Sequence, residues 1–120
     1  MTNDTEDLPT YHVLALSGGG YRALYTATIL KEFEQVLGRP IASHFDLICG
    51  TSAGGLLALG LASEIPASEL KSLFEDQGQQ IFGTRDFMRK RLGFLTRAKH
   101  SNAGLRSVLE QRFGKTTMGE

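Results

Sequence analysis

The sequence is short of several features that mark specialised chains. It has one cysteine, Cys49, in 120 residues, so no internal disulfide can form and a reducing compartment is the expected setting. It has no run of about 20 apolar residues, the longest candidates being broken by glycine and polar residues, so no segment reads as a membrane span. It has no net charge, with 13 basic residues against 13 acidic, which argues against a general binder of nucleic acid. The opening Met1-Thr2-Asn3-Asp4-Thr5-Glu6-Asp7 lacks the basic-then-apolar order of a secretory leader, and an intracellular, cytoplasmic protein is expected. Internal repeats are absent. What is present is ordinary: 41% hydrophobic and 22% charged residues, the balance of one globular domain that buries roughly two-thirds of its unfolded surface.

Residues 1–10 are polar and acidic and read as a loose lead-in, so the folded domain is expected over residues 11–120. Tyr11-His12-Val13-Leu14-Ala15-Leu16 is a short apolar run halted by Ser17 and three glycines, as expected of a strand buried on both faces. From Tyr21 the apolar spacing widens to Ala27, Leu30, Phe33 and Leu37, with Gly38 and Pro40 as stop signals, which predicts a helix. Phe45-Asp46-Leu47-Ile48-Cys49 returns to a strand pattern, halted by Gly50. Strand, helix, strand at this spacing predicts a parallel, right-handed crossover and an α/β fold. Residues 53–61 are small and apolar throughout, as in a buried helix. A third helix follows Pro66 to about Phe82, on the stripe Leu70, Leu73, Phe74, Gln77 and Ile81. A fourth is set by Leu105, Val108, Leu109 and Phe113, with Ser101 or Asn102 to cap it and Gly114 to end it. Two parallel strands are too few to stand alone. A further strand is therefore expected either within residues 84–104 or beyond Glu120.

Two glycine-rich turns carry the chemistry. Gly18-Gly19-Gly20-Tyr21-Arg22 follows the first strand and precedes a helix, so backbone N–H groups are left unshielded by side chains. Gly50-Thr51-Ser52-Ala53-Gly54 follows the second strand, a strand-to-helix elbow whose flanking glycines relieve crowding around an exposed serine. Ser52 is the candidate nucleophile. Either motif alone is moderate evidence, since a chain with 14 glycines can produce it by chance. The pair, each at the carboxyl end of its own strand where open α/β sheets place ligands, is far more specific.

These residues resemble the patatin-like phospholipase family, in which a G-G-G-x-[RK]-G loop forms an oxyanion hole and a G-x-S-x-G elbow carries the serine. The match runs from residue 11 to about 63. The resemblance implies a three-layer α/β/α fold around a parallel sheet, of which this chain would be an N-terminal part. It implies lipid-ester hydrolysis without metal or organic cofactor. Ser52 would attack the ester carbonyl, the N–H groups of Gly19, Gly20 and Ala53 would stabilise the oxyanion, and Arg22 would brace the loop or neutralise phosphate. The family's catalytic aspartate lies in a late Asp-Gly-[Gly/Ala] motif, and none of Asp4, Asp7, Asp46, Asp76 and Asp86 precedes glycine. The base is therefore expected beyond residue 120, and the 120-residue piece is expected to hydrolyse weakly. Ala23 stands where the loop's last glycine is usual, which a helical backbone would tolerate. The run from Leu14 through Ala27 further resembles bacterial patatin-like effectors switched on by cyclic dinucleotides in antiviral defence.

Blander readings stand beside these. The triglycine turn could bind a phosphorylated ligand, although a P-loop is excluded because no Gly-Lys-Ser/Thr follows, and Ser52 could be a small residue packed at a tight join. Ser52, Asp86 and His100 occur in the chain order of an α/β-hydrolase triad. Asp46, His12 and His44 read as structural, and Cys49 as a packed, inert thiol. Residues 85–120 carry 9 basic and 3 acidic groups, against 4 and 10 in residues 1–84. Arg85, Arg89, Lys90, Arg91, Arg97 and Lys99 interleave with Phe87, Met88, Leu92, Phe94 and Leu95. That pattern suits either a solvated helix or peripheral contact with an anionic membrane. The competing class is a non-catalytic module that binds a phosphorylated ligand or membrane through the glycine loop and basic segment.

Overall fold

A computed structural model describes residues 9–82 and 103–117. Strand β1 (Val13–Leu16) leads through a 3-10 turn (Gly20–Arg22) into helix α1 (Ala23–Leu37). A second 3-10 turn (Ile41–His44) delivers the chain to β2 (Leu47–Gly50), followed by α2 (Ala53–Ala62), α3 (Ala67–Phe82) and α4 (Ala103–Phe113). β1 and β2 pair in parallel, Leu14 opposite Ile48 and Leu16 opposite Gly50. The expected strand, helix, strand unit and all four helices are present, the helices within two residues of their predicted ends, and the fold is α/β. The segment in which a further strand was expected lies almost wholly outside the described residues.

The strands depart from expectation in their burial. Of the eight strand residues only Leu16 is buried. Side chains alternate across a strand, so Leu14, Leu16 and Ile48 share the face that joins the core, where α2 packs. Val13, Ala15, Leu47 and Cys49 take the opposite face and are exposed. Among the described residues the sheet has only these two strands, and none of the helices packs on that face. The same geometry corrects the reading of Cys49, whose thiol is exposed rather than packed.

α2 is apolar on almost every side because it sits between sheet and helices, with Leu57 and Leu61 in the core. It meets α3 where Gly60 lies under the Leu70 side chain, an approach that a Cβ at 60 would block. α3 packs along α1 and also against α4, whose Val108 and Leu105 join the core.

α1 presents a different face from the one its apolar spacing predicts. Ala23, Ala27 and Leu30 are buried, but Phe33 and Leu37 are exposed, and the inward line continues instead through half-buried Glu34. Glu34 Oε2 accepts the N–H of Ala67, the first residue of α3, at 2.8 Å. Its Oε1 accepts the N–H of Ile41, which opens the second 3-10 turn, at 3.0 Å. The first amides of a helix have no intrahelical acceptor, so one carboxylate serves two helix starts and outcompetes an apolar residue for that position. Asp46 likewise joins distant segments, Oδ2 accepting the His12 N–H at 2.7 Å while its own N–H donates to the His12 carbonyl at 2.8 Å. The structural reading of Asp46 follows from these bonds.

Candidate active site

Both glycine turns leave the carboxyl ends of their strands on the same side of the sheet, because the strands are parallel and in register. Ser52 occupies the elbow between β2 and α2 with φ 54° and ψ −125°, a left-handed conformation that costs a residue with a Cβ about 1–3 kcal/mol. The elbow is too tight for side chains on either flank. A Cβ at Gly50 would strike the carbonyl of Gly54, and a Cβ at Gly54 would strike the carbonyl of Leu16. Ser52 itself is exposed. Its carbonyl begins α2 by accepting the N–H groups of Gly55 at 2.8 Å and Leu56 at 3.2 Å, and its hydroxyl has no hydrogen-bond partner among the described residues.

The triglycine turn rests directly on this elbow. The Gly18 N–H donates to Thr51 Oγ1 at 3.2 Å, and the Thr51 N–H donates to the Leu16 carbonyl at 3.1 Å. A Cβ on Gly18 would come within 2.9 Å of the Ser52 Cβ and 2.6 Å of the Thr51 carbonyl oxygen. Gly19 then turns the chain with φ 143°, a value that excludes residues with side chains, and its carbonyl accepts the Arg22 N–H at 3.3 Å. The N–H groups of Gly19, Gly20 and Ala53 have no acceptor among the described residues. Ala23, with φ −59° and ψ −23°, is helical and almost wholly buried, so its methyl is accommodated where the loop's last glycine is usual. Arg22 is exposed, lies against Gly19, and makes no ion pair among the described residues.

Two contributors were not anticipated from the sequence. Thr51 holds the loop through its hydroxyl; the signal available was only a hydroxyl residue beside the serine, with its partner 33 residues away. Tyr21 packs its ring against Gly78 of α3, for which the sole signal was a glycine inside a helical pattern. His12 is exposed beside Asp46, with Nδ1 at 3.7 Å from Oδ2, and His44 lies in the second 3-10 turn; among the described residues neither is hydrogen-bonded to Ser52. Asp86, His100 and the basic stretch of residues 85–99 lie outside the described residues.

A parallel sheet that ends in two glycine turns, one carrying an exposed serine at a helix start and one carrying amides without an acceptor among the described residues, defines the class of α/β proteins with a serine elbow. A family model described as Patatin-like phospholipase matches residues 14–120, and the chain belongs to that family. It is 72% identical over 113 residues to a cGAMP-activated phospholipase of Pseudomonas aeruginosa, covering 94% of this chain and 34% of that protein. It is 41% identical over 118 residues to a cGAMP-activated phospholipase of Escherichia coli, 92% of this chain and 33% of that protein. A cUMP-AMP-activated phospholipase of Escherichia coli is 37% identical over 73 residues, 61% of this chain and 23% of that protein. The chain thus spans about a third of the length of the first two of these curated relatives. No solved structure matches it. The resemblance read from the two glycine motifs, including its narrower form toward cyclic-dinucleotide-activated bacterial proteins, agrees with these matches.

Proposed function

We propose that this chain supplies the nucleophile and oxyanion hole of a serine acyl hydrolase that cleaves acyl esters of phospholipids. Ser52 Oγ attacks the ester carbonyl while its proton passes to a carboxylate base. The N–H groups of Gly19, Gly20 and Ala53 take the charge that develops on the carbonyl oxygen. The tetrahedral intermediate collapses to a Ser52 acyl ester as the alcohol leaves with the proton, and water then releases the fatty acid by the same route. Arg22, beside the turn, neutralises the lipid phosphate. The base is an aspartate beyond residue 120, in an Asp-Gly-Gly or Asp-Gly-Ala sequence. The names of the relatives support a cyclic dinucleotide as activator, and a role in antiviral defence belongs to the same reading. The protein acts in the cytoplasm and touches anionic membrane peripherally through residues 85–99.

The observation that carries this reading is the seating of Gly18 against Ser52, which sets a hydroxyl beside amides that, among the described residues, have no hydrogen-bond partner. The test is fluorophosphonate labelling and ester hydrolysis by the 120-residue chain and by a chain extended through the downstream Asp-Gly sequence. The short chain is expected to label slowly and turn over weakly. The extended chain should be faster by about three or more orders of magnitude, as expected where a serine gains its base, and Ser52→Ala should abolish both signals. Labelling that survives Ser52→Ala overturns the reading. Tight nucleotide binding that is indifferent to Ser52→Ala and lost in Gly19→Val would instead establish a phosphate-binding module.

A further inference from the structure

Gly78 stands inside α3, buried, where alanine would favour the helix. Its missing side chain is explained by what lies over it. A Cβ at 78 would overlap Cε2 of Tyr21 and stand 2.9 Å from Cδ2 and 3.5 Å from Cζ of the same ring. Tyr21 is the residue between Gly20 and Arg22, and its half-exposed ring lies over α3 at Gly78. α3 packs against that 3-10 turn, whereas Thr51 grips the same loop at its other end through the Gly18 amide. Gly19 and Gly20, with φ values of 143° and 61°, have no side chains that could anchor them. Their amides therefore take their positions from the two ends of the loop.

We propose that Gly78 is a positioning residue of the active site: by seating the Tyr21 ring on α3 it fixes where the Gly19 and Gly20 amides stand relative to Ser52. The claim that this position governs catalysis rests on the function proposed above. A misplacement of about 1 Å at such a donor can cost about a hundredfold in rate.

The experiment compares wild type, Gly78→Ala, Tyr21→Ala and the double variant in the full 120-residue chain, by fluorophosphonate labelling of Ser52, urea denaturation, and the amide resonances of Gly19 and Gly20. Gly78→Ala is expected to slow labelling about tenfold or more and to shift both glycine resonances, with a denaturation midpoint equal to or above wild type. In the Tyr21→Ala background the same substitution should change labelling less than twofold, because the ring it displaces is gone. Labelling at the wild-type rate in Gly78→Ala, or an equal loss with and without Tyr21, overturns the proposal. If Gly78→Ala does not fold, recovery of folding in the double variant supports it and continued failure overturns it. If wild type does not label even when extended through the downstream Asp-Gly sequence, the hydrolase reading falls, and the glycine resonances alone decide the positional claim: unmoved in Gly78→Ala, they overturn it.

Discussion

Ser52 occupies a left-handed conformation that a residue placed for packing would have no reason to adopt. Replacing it with glycine removes the Cβ that makes the conformation costly, while alanine keeps that Cβ and removes only the hydroxyl. Ser52→Gly should therefore raise stability by about 1 kcal/mol, after allowance for the greater freedom of glycine in the unfolded chain. Ser52→Ala should leave it within about 0.5 kcal/mol of wild type. Urea denaturation of the two variants side by side checks this, and equal midpoints would show that the elbow carries no strain. The glycines around Ser52 were legible in the sequence because close backbone approach leaves only one residue type in place, as at Gly50 and Gly54. Thr51 was not, because a threonine's partner is set by the fold and not by its neighbours; here it is the amide of Gly18.

Periodicity predicts that α1 is a helix and gives its spacing, but it does not say which polar residue the fold will draw inward. Phe33 and Leu37 continue the apolar spacing of Ala27 and Leu30 yet face outward, whereas Glu34 turns in. The reason is the two amides waiting at Ile41 and Ala67, which belong to elements that no reading of residues 23–37 could place. Glu34→Ala should cost about 2 kcal/mol, the loss of two capping bonds of about 1 kcal/mol each. Glu34→Gln should recover only part, since its amide offers one acceptor oxygen for two donors. Thermal and urea denaturation of both variants check this, and a cost under about 0.5 kcal/mol for Glu34→Ala would remove the carboxylate's capping role. Phe33→Ala, by contrast, takes away a side chain that is already 54% exposed, so α1 carries its stabilising contacts on the side opposite to the one its aromatic residues mark. The strands were legible in position and not in burial, because an apolar run of four or five residues reports a strand but not how many neighbours flank it.

The described part of the molecule is a helical core attached to the smallest parallel sheet that can exist, and its apolar surface is divided accordingly. One face of the sheet meets α2; the other shows Val13 and Leu47, about half exposed. The outer side of α1 adds Tyr25 at 72% and Val36 at 86% exposure, spaced with Ile29 and Phe33 along one helical face. An aggregate apolar surface of this kind, beside two strand edges that no other strand pairs with among the described residues, favours association with other chains. The zero net charge supplies no overall repulsion to oppose it. The 120-residue chain should therefore self-associate at micromolar concentrations and bind a hydrophobic dye, as sedimentation velocity and dye fluorescence would show. Phe33→Lys with Val36→Lys should reduce both signals while the far-ultraviolet helical spectrum stays unchanged, because both residues lie outside the core cluster. A wild-type chain that sediments as a monomer without binding dye would overturn this expectation.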